Sequence, residues 1–347
     1  MSSFSRAAGS RDVRAAAADV DLFRATTASI EREVGKVIVG QEAVLRGALI
    51  ALFAGGHVLL EGVPGLAKTR MVRAIAEALD LDYARIQFTP DLMPADITGT
   101  NIISEDGSGE RRFRFEPGPV FANLLLADEI NRATPKTQAA LLEGMAEFQV
   151  TVANTQHRLP APFMVLATQN PIEMEGTYPL PEAQLDRFLL KIHVRYPSAR
   201  ELVEILNRTT SGSEAKIERA ASASEILRMQ ALVREVPIAD HVQEYAARLV
   251  MSTHPNEPGA PKVTRDYVRF GASPRGAIAI VLAAKVNALI EGRYNVAYED
   301  IRYVAPAALR HRVILNFEAD AEGVTTDTII EELVMSVTPE EAELAVR

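Results

Sequence analysis

The chain has 347 residues, enough for about two domains, and its 48% hydrophobic and 24% charged residues are those of an ordinary soluble protein. Its 46 acidic and 37 basic residues give a net charge of −9, which argues against an extended nucleic-acid-binding surface. The absence of cysteine excludes disulfides, thiolate zinc sites and cysteine nucleophiles. No two histidines are spaced four residues apart, so we predict no structural metal.

Neither the N-terminal segment nor the longest apolar segment of the chain has the pattern of a membrane span. Residues 1–25 are rich in Ser, Ala, Arg and Asp and contain no apolar stretch, which is typical neither of a signal peptide nor of a membrane anchor. We expect a disordered tail there. The longest apolar segment elsewhere, residues 277–290, is interrupted by Lys285 and Asn287, so we predict no transmembrane helix and a cytoplasmic location.

A short apolar segment that ends in Val39 and Gly40 precedes a helical pattern over residues 41–54. A short apolar loop before a nucleotide site is a plausible adenine pocket, to which Val39 and Gly40 would contribute. An ordinary hydrophobic staple at a helix start explains these residues equally well.

The next segment has the pattern of a phosphate-binding loop between a buried strand and an amphipathic helix. Its residues are Gly62, Val63, Pro64, Gly65, Leu66, Ala67, Lys68 and Thr69. Backbone N–H groups of such a loop converge on phosphates, Lys68 can reach the β and γ phosphates, and Thr69 can offer its hydroxyl to Mg²⁺. Ala67 replaces the usual glycine, which predicts a backbone angle that a Cβ tolerates. The alternative is a plain strand-to-helix turn with a solvated lysine.

Strands and helices alternate over the first part of the chain. The predicted strands are residues 57–61, 83–88, 123–129, 163–169 and 188–194. This alternation predicts an α/β fold, a mostly parallel sheet covered by helices on both faces. Two hairpins, within residues 96–117 and 148–159, are expected to interrupt it and either contact a substrate or form surface excursions. After residue 197 the strands stop, and helical patterns predict a core at 26–197 and a helical domain at 198–347.

Polar residues end two of the predicted strands. Asp128 and Glu129 are consecutive and should point to opposite faces, so we predict that Asp128 holds Mg²⁺ and that Glu129 polarises the attacking water. Alternatively, they are a strand end that reaches solvent. Asn170 ends the next strand, at the edge where ligands bind, and could position that water; alone, it is a turn residue before Pro171.

Two arginines are further candidates. Arg187 precedes the last strand and could act on a nucleotide bound by a neighbouring subunit, or form a surface ion pair. Arg275 lies in the first turn of a helix that Ser273 caps and Pro274 starts. The helix dipole there favours anions, so a bound phosphate would compensate its charge; otherwise Arg275 is solvated.

Five motifs, in this order, resemble those of the AAA+ ATPases and, among them, the MoxR family of the helix-2-insert clade. They are GVPGLAKT (62–69, Walker A), LLLADEINRA (124–133, Walker B), ATQNP (167–171, sensor 1), YPLPEAQLDRF (178–188, with the arginine finger) and GASPRG (271–276, sensor 2). Alanine at position 67 is common in this family. The resemblance implies a P-loop NTPase core with a smaller all-α lid, ATP and Mg²⁺ as cofactors, and a ring that is usually a hexamer.

The resemblance also implies roles for the candidate residues. Lys68, Thr69, Asp128, Glu129 and Asn170 would act within one subunit. Arg187 would act across the subunit interface, and Arg275 would report the nucleotide state to the lid.

MoxR-like proteins are chaperones that work with von Willebrand factor A partners and help metal or cofactor enzymes mature, which implies the same for this chain. A magnesium-chelatase-like motor shares the architecture and is the first alternative. The excess of acidic over basic residues disfavours a DNA-associated motor, as does the lack of a GAFTGA loop or a DNA-binding helix-turn-helix. The presence of Glu129 disfavours a non-hydrolysing ATP switch.

Overall fold

The computed structural model describes residues 13–63, 65–105, 111–171, 176–210 and 215–338, so Pro64 of the predicted phosphate loop lies outside the described residues. The elements up to residue 193 are α1 (Val13–Gly35), α2 (Glu42–Ala54), β1 (Val58–Glu61), α3 (Lys68–Leu79), β2 (Tyr83–Gln87), α4 (Pro94–Thr98), β3 (Gly99–Glu105), β4 (Arg111–Pro117), β5 (Leu124–Asp128), α5 (Pro135–Glu147), β6 (Gln149–Val152), β7 (Thr155–Arg158), β8 (Met164–Gln169), α6 (Glu182–Leu185) and β9 (Leu190–His193). Those that follow are α7 (Ala199–Thr210), α8 (Ala223–Glu235), α9 (Asp240–Met251), α10 (Lys262–Tyr267), β10 (Val268–Phe270), α11 (Pro274–Ile290), α12 (Tyr298–Leu309), β11 (Ile314–Leu315), α13 (Phe317–Glu322) and α14 (Thr326–Ser336).

A five-stranded sheet in the order β2-β5-β8-β1-β9 organises the first part of the chain. All its strand pairs are parallel, so the carboxyl ends of the strands meet at one edge. The central strands are apolar runs because helices cover both faces: Leu59 and Leu60, adjacent in β1, pack in two different hydrophobic clusters. The predicted α/β class is therefore confirmed. No described helix has the length and apolar character needed to span a bilayer.

The N-terminal helix corrects one prediction. Residues 13–25, expected as part of a disordered tail, lie in α1. Val20 and Phe23 are buried, and the Phe23 ring centroid lies 4.9 Å from that of Phe53 on α2. Composition concealed this helix because Ala, Asp and Arg dominate residues 13–25, whereas a few spaced apolar side chains suffice to anchor it.

Two antiparallel hairpins occur where the sequence predicts them. β3 pairs with β4 from Gly99 opposite Pro117 to Glu105 opposite Arg111, and β6 pairs with β7. The prediction that strands stop after residue 197 is wrong, because β10 and β11 form a small antiparallel pair. Strands of three and two residues are too short to show an alternating hydrophobic pattern.

His57 connects the sheet to α5 from a fully buried position just before β1. Its Nδ1 accepts the Val165 backbone N–H at 3.0 Å, so the ring proton is on Nε2, which donates to the Met145 carbonyl oxygen at 3.0 Å. The ring also packs against Phe148 and Phe163. Burial lowers the pKa of His57 to about 4, so the folded protein holds this side chain neutral.

This neutral histidine predicts a loss of stability in mild acid. Between pH 6.5 and 5 the unfolded chain protonates His57 and the folded chain does not, so the free energy of unfolding should fall as pH falls. The expected contribution is roughly 1 kcal/mol per pH unit, measured by urea unfolding across this range.

His311, whose pKa burial also lowers, adds a second contribution of the same sign. Substitution His57→Gln should reduce the slope without abolishing it, and His311→Gln should do the same. A slope that His57→Gln leaves unchanged would contradict the assignment, whatever that variant does to stability at neutral pH.

Candidate functional site

The loop between β1 and α3 begins with a glycine that the fold requires. The Gly62 N–H donates to the Gln169 carbonyl oxygen at 3.3 Å, and a Cβ at this position would lie 2.8 Å from the Val194 carbonyl oxygen. Lys68, at the start of α3, donates from Nζ to the Gly62 carbonyl oxygen at 2.5 Å. The loop therefore folds back so that its first and last parts lie together.

Ala67 has a less ordinary backbone than the sequence predicts. Its φ of 57° lies in the left-handed region, which side chains with a Cβ seldom adopt, so the alanine accepts this angle only at a cost in free energy. Ala67 precedes α3 and supplies no side-chain acceptor to the first turn. The first amides of α3 therefore remain available to an anion, as in helix termini that bind phosphate.

A cavity of about 440 Å³ lies beside this loop, at the carboxyl edge of the sheet. It brings together the predicted residues Gly65, Leu66, Ala67, Lys68, Thr69, Asp128, Glu129 and Asn170. It adds Arg70, Arg85, Gln87 and Thr168, which the sequence analysis missed. We call it the phosphate cavity.

Asp128 and Glu129 line the same cavity, although strand alternation predicts opposite faces. β5 ends at Asp128, and Glu129 has a φ of 56°, so the alternation does not extend to Glu129. Thr168 of β8 joins the two residues: its hydroxyl donates to Asp128 Oδ1 at 2.7 Å and accepts the Glu129 N–H at 2.8 Å. One side chain thus fixes the Asp128 carboxylate and the backbone of Glu129.

Strand β2 supplies partners for the same carboxylates. Arg85 Nη2 donates to Asp128 Oδ2 at 2.7 Å, and Gln87 Nε2 donates to Glu129 Oε2 at 2.8 Å. Arg132 Nη1 lies 3.1 Å from the same Glu129 oxygen. Arg85 and Gln87 are two residues apart on a strand that adjoins β5, a spacing that places both side chains on one face and was visible in the sequence.

The electrostatics of the cavity centre on Lys68. Burial lowers the pKa of Lys68, and the nearby charges of Asp128, Glu129 and Glu61 partly offset that effect. Burial raises the pKa of Glu61, but its contacts with His193 and Lys191 outweigh this and bring it to about 2. Glu61 is therefore ionised at neutral pH.

The donor set fits Mg²⁺. The Thr69 hydroxyl and the Asp128 carboxylate both line the cavity and are the hard oxygen ligands that this ion takes in proteins.

A second, mostly apolar cavity of about 660 Å³ adjoins the first, and we call it the base cavity. Val39 lines it, as predicted, together with Leu202 and Ile205 of α7. The two cavities share Gly65, Leu66, Ala67 and Arg70. Gly40 is not among the described residues that line it; with a φ of 73° it packs against the Glu201 side chain. Val63 lines neither cavity.

The two candidate arginines lie outside both cavities. Arg187 is exposed and donates from Nη1 to the Leu142 carbonyl oxygen at 2.7 Å. Arg275 Nη1 lies 3.9 Å from Asp186 Oδ2, an oxygen that also accepts the Ser273 hydroxyl at 2.8 Å. At the start of α11, where the sequence suggests a phosphate, the structure therefore places the chain's own carboxylate.

Arg312, after α12, was not predicted and holds this region together. Its buried guanidinium donates to Asp186 Oδ1 at 2.7 Å and to the Phe188 carbonyl oxygen at 2.7 Å. A third bond, at 3.2 Å, reaches the Leu189 carbonyl oxygen. The helical part of the chain is thus hydrogen-bonded to the segment that contains Arg187.

Comparison with known proteins agrees with this geometry. Residues 57–190 match the family described as ATPase family associated with various cellular activities (AAA), and residues 261–333 match the AAA lid domain. The chain is 44% identical to Chaperone MoxR1 of Mycobacterium tuberculosis, over 88% of this chain and 80% of that protein. It is 38% identical to Protein MoxR of Methylorubrum extorquens, over 84% of this chain and 89% of that protein.

A solved structure extends the agreement to the whole fold. The crystal structure of a protein of Cytophaga hutchinsonii, described as a "putative ATPase", superposes with a TM-score of 0.88 at 43% identity, covering 95% of this chain and 99% of that one. The α/β core with a helical lid is confirmed by these matches. The chain belongs to the MoxR family of AAA+ ATPases.

Proposed function

We propose that this protein binds ATP with Mg²⁺ and hydrolyses it to ADP and phosphate. The observation that carries the proposal is the pair of adjoining cavities, one mostly apolar and one polar, which share residues 65–67 of the glycine loop. A purine base suits the first, and a triphosphate beside Lys68 and the start of α3 suits the second.

Each predicted residue has a defined part in this proposal. Lys68 and the first amides of α3 bind the phosphates, and Thr69 with Asp128 would hold Mg²⁺. When bound, Mg²⁺ supplies positive charge that offsets the charge of the phosphate oxygens. Glu129, whose carboxylate Gln87 and Arg132 hold in place, orients and polarises the attacking water, and Asn170 lines the same cavity and helps to position it.

Two substitutions separate binding from hydrolysis. Lys68→Ala should lower ATP affinity at least about 100-fold, because it removes a charge-assisted contact from the phosphate site. Glu129→Gln should retain ATP affinity and lower phosphate release about 100-fold or more, because it removes the group that polarises water. Calorimetry measures the first effect and a phosphate-release assay the second.

Two exposed residues of α5 provide matched controls. Lys136→Ala is the control for Lys68→Ala, and Glu143→Gln is the control for Glu129→Gln. Both should behave like the unsubstituted protein. ATP binding that survives Lys68→Ala would refute the phosphate-site assignment, and normal turnover by Glu129→Gln would refute the role of Glu129.

We further propose that the protein works as a homo-oligomeric ring, a hexamer by family analogy. Arg187 is exposed and lies outside the cavities of its own chain, which suits action on the nucleotide of a neighbouring subunit. Arg275, held by Asp186 in this structure, would report the nucleotide state through the lid.

Subunit mixing tests the action of Arg187 across the interface. Neither Arg187→Ala nor Lys68→Ala rings should hydrolyse ATP, but mixed rings should recover part of the activity, since some interfaces pair an intact Lys68 site with an intact Arg187. Mixing Lys68→Ala with the double variant creates no such interface and should recover nothing. Native mass spectrometry verifies that mixed rings form. If mixed rings of Arg187→Ala and Lys68→Ala subunits form and stay inactive, action across the interface is refuted.

For the biological role, we propose a chaperone that remodels client enzymes with a von Willebrand factor A domain partner. One relative has the name Chaperone MoxR1. The β3–β4 hairpin also leaves apolar side chains in solvent, with Ile103 63% and Phe113 78% exposed, which suits transient contact with another polypeptide.

A capture experiment tests this role. Tagged Glu129→Gln protein, held with ATP in native lysate, should retain a von Willebrand factor A domain protein together with a metal or cofactor enzyme, identified by mass spectrometry. The same variant carrying Phe113→Ser should retain less of the enzyme. Recovery of chelatase subunits or DNA-processing proteins instead would contradict the chaperone role and leave the ATPase proposal intact.

A further inference from the structure

Gln41 has a buried side chain with an unused hydrogen-bond acceptor. It lies at the start of α2, is 7% exposed and lines the base cavity together with Val39. Its Nε2 donates to the Arg195 carbonyl oxygen at 3.0 Å. Because a carbonyl only accepts, this bond fixes which end of the amide is oxygen and which is nitrogen. The other end, Oε1, is buried and has no hydrogen-bond partner among the described residues.

A buried acceptor without a partner is costly, and native proteins rarely retain one unless a ligand or water satisfies it. The Arg195 bond directs Gln41 toward the chain segment that continues into Tyr196 and Pro197, which line the base cavity. The basic residues of that cavity, Lys36, Arg70 and Arg208, carry only donors. Gln41 is therefore the buried side chain in the described lining that can accept a hydrogen bond from a base.

We propose that Gln41 selects adenine, through a hydrogen bond from the exocyclic 6-amino group of the base to Oε1. Guanine and hypoxanthine have an oxygen at position 6, which would set acceptor against acceptor in a buried place. This inference rests on the proposed ATP binding, and it adds to it the residue that distinguishes one purine from another.

A neighbouring cavity offers a competing partner. Gln41 also borders a space of about 400 Å³ lined by Glu31, Glu42 and Arg46. Arg46 Nε is likewise buried and has no hydrogen-bond partner in the part of the chain that the structure describes. A water there could bridge Gln41 and Arg46, in which case Oε1 would not contact the base. The two arrangements predict different binding: Gln41 affects the preference for the group at position 6 of the base only if Oε1 contacts the base.

The test compares two nucleotides that differ only at position 6: ATP, and purine riboside triphosphate, which has hydrogen in place of the amino group. Calorimetry on the full chain gives the ratio of their dissociation constants. ATP should bind about 10-fold more tightly, and inosine triphosphate should bind more weakly than either. Gln41→Met, of similar volume, should bring the ratio for ATP and purine riboside triphosphate close to one.

A second variant separates base recognition from a structural role. Gln41→Glu removes the donor to Arg195 but keeps an acceptor oxygen, so it should retain the preference for ATP even where overall affinity falls. A Gln41→Met variant that weakens both nucleotides equally would show that Gln41 only supports the fold, and would overturn the inference. Equal binding of the two nucleotides by the unsubstituted protein would overturn it as well, whereas binding of neither would refute ATP binding itself.

Discussion

The hydrogen bonds of Thr168 hold the polar centre of the site together. Its hydroxyl binds Asp128 Oδ1 and the Glu129 N–H at once, so the end of β8 determines how the chain leaves β5. A threonine is suited to this because its hydroxyl both donates and accepts, and its branched Cβ restricts its rotation. The Asp128 carboxylate and the backbone of Glu129 consequently keep a fixed position relative to β8, which Asn170 follows.

Around Thr168, positively and negatively charged side chains lie next to each other at the edge of the apolar sheet. Lys68, Arg85 and Arg132 lie among Asp128, Glu129 and Glu61, while the three central strands, β1, β5 and β8, are buried on both faces. Arg85 and Arg132 are paired with Asp128 and Glu129 and are nearly half exposed, so solvent reduces the cost of bringing these charges together. The sheet holds these residues in place because helices pack on both of its faces. The site lies at the carboxyl edge of the sheet, where that packing ends.

Long apolar runs made much of the fold and site predictable. The five sheet strands, both hairpins and the glycine loop depend on patterns within a few residues of each other, and the sequence shows them directly. Features that depend on partners distant in the chain were not predictable in the same way. The buried position of α1, the Asp186 and Arg312 pairing and the short β10–β11 pair belong to this group.

Unusual backbone conformation was the other feature that could not be predicted from the sequence. Ala67 and Glu129 both have positive φ, which neither residue type favours, so local propensity predicts ordinary geometry for both. The surrounding structure imposes these conformations, and they occur at the phosphate loop and at the candidate water-activating residue. Strain concentrated at such positions is common in functional sites.

The bonds from Arg312 to residues 186–189 make the position of Arg187 depend on the helical lid as well as on the sheet. His311 adds a further bond to the Phe188 carbonyl oxygen at 2.9 Å. A rotation of the lid against the sheet must either break these bonds or carry the segment with it. These bonds therefore couple the position of the lid to that of Arg187, a side chain exposed on the surface of the chain.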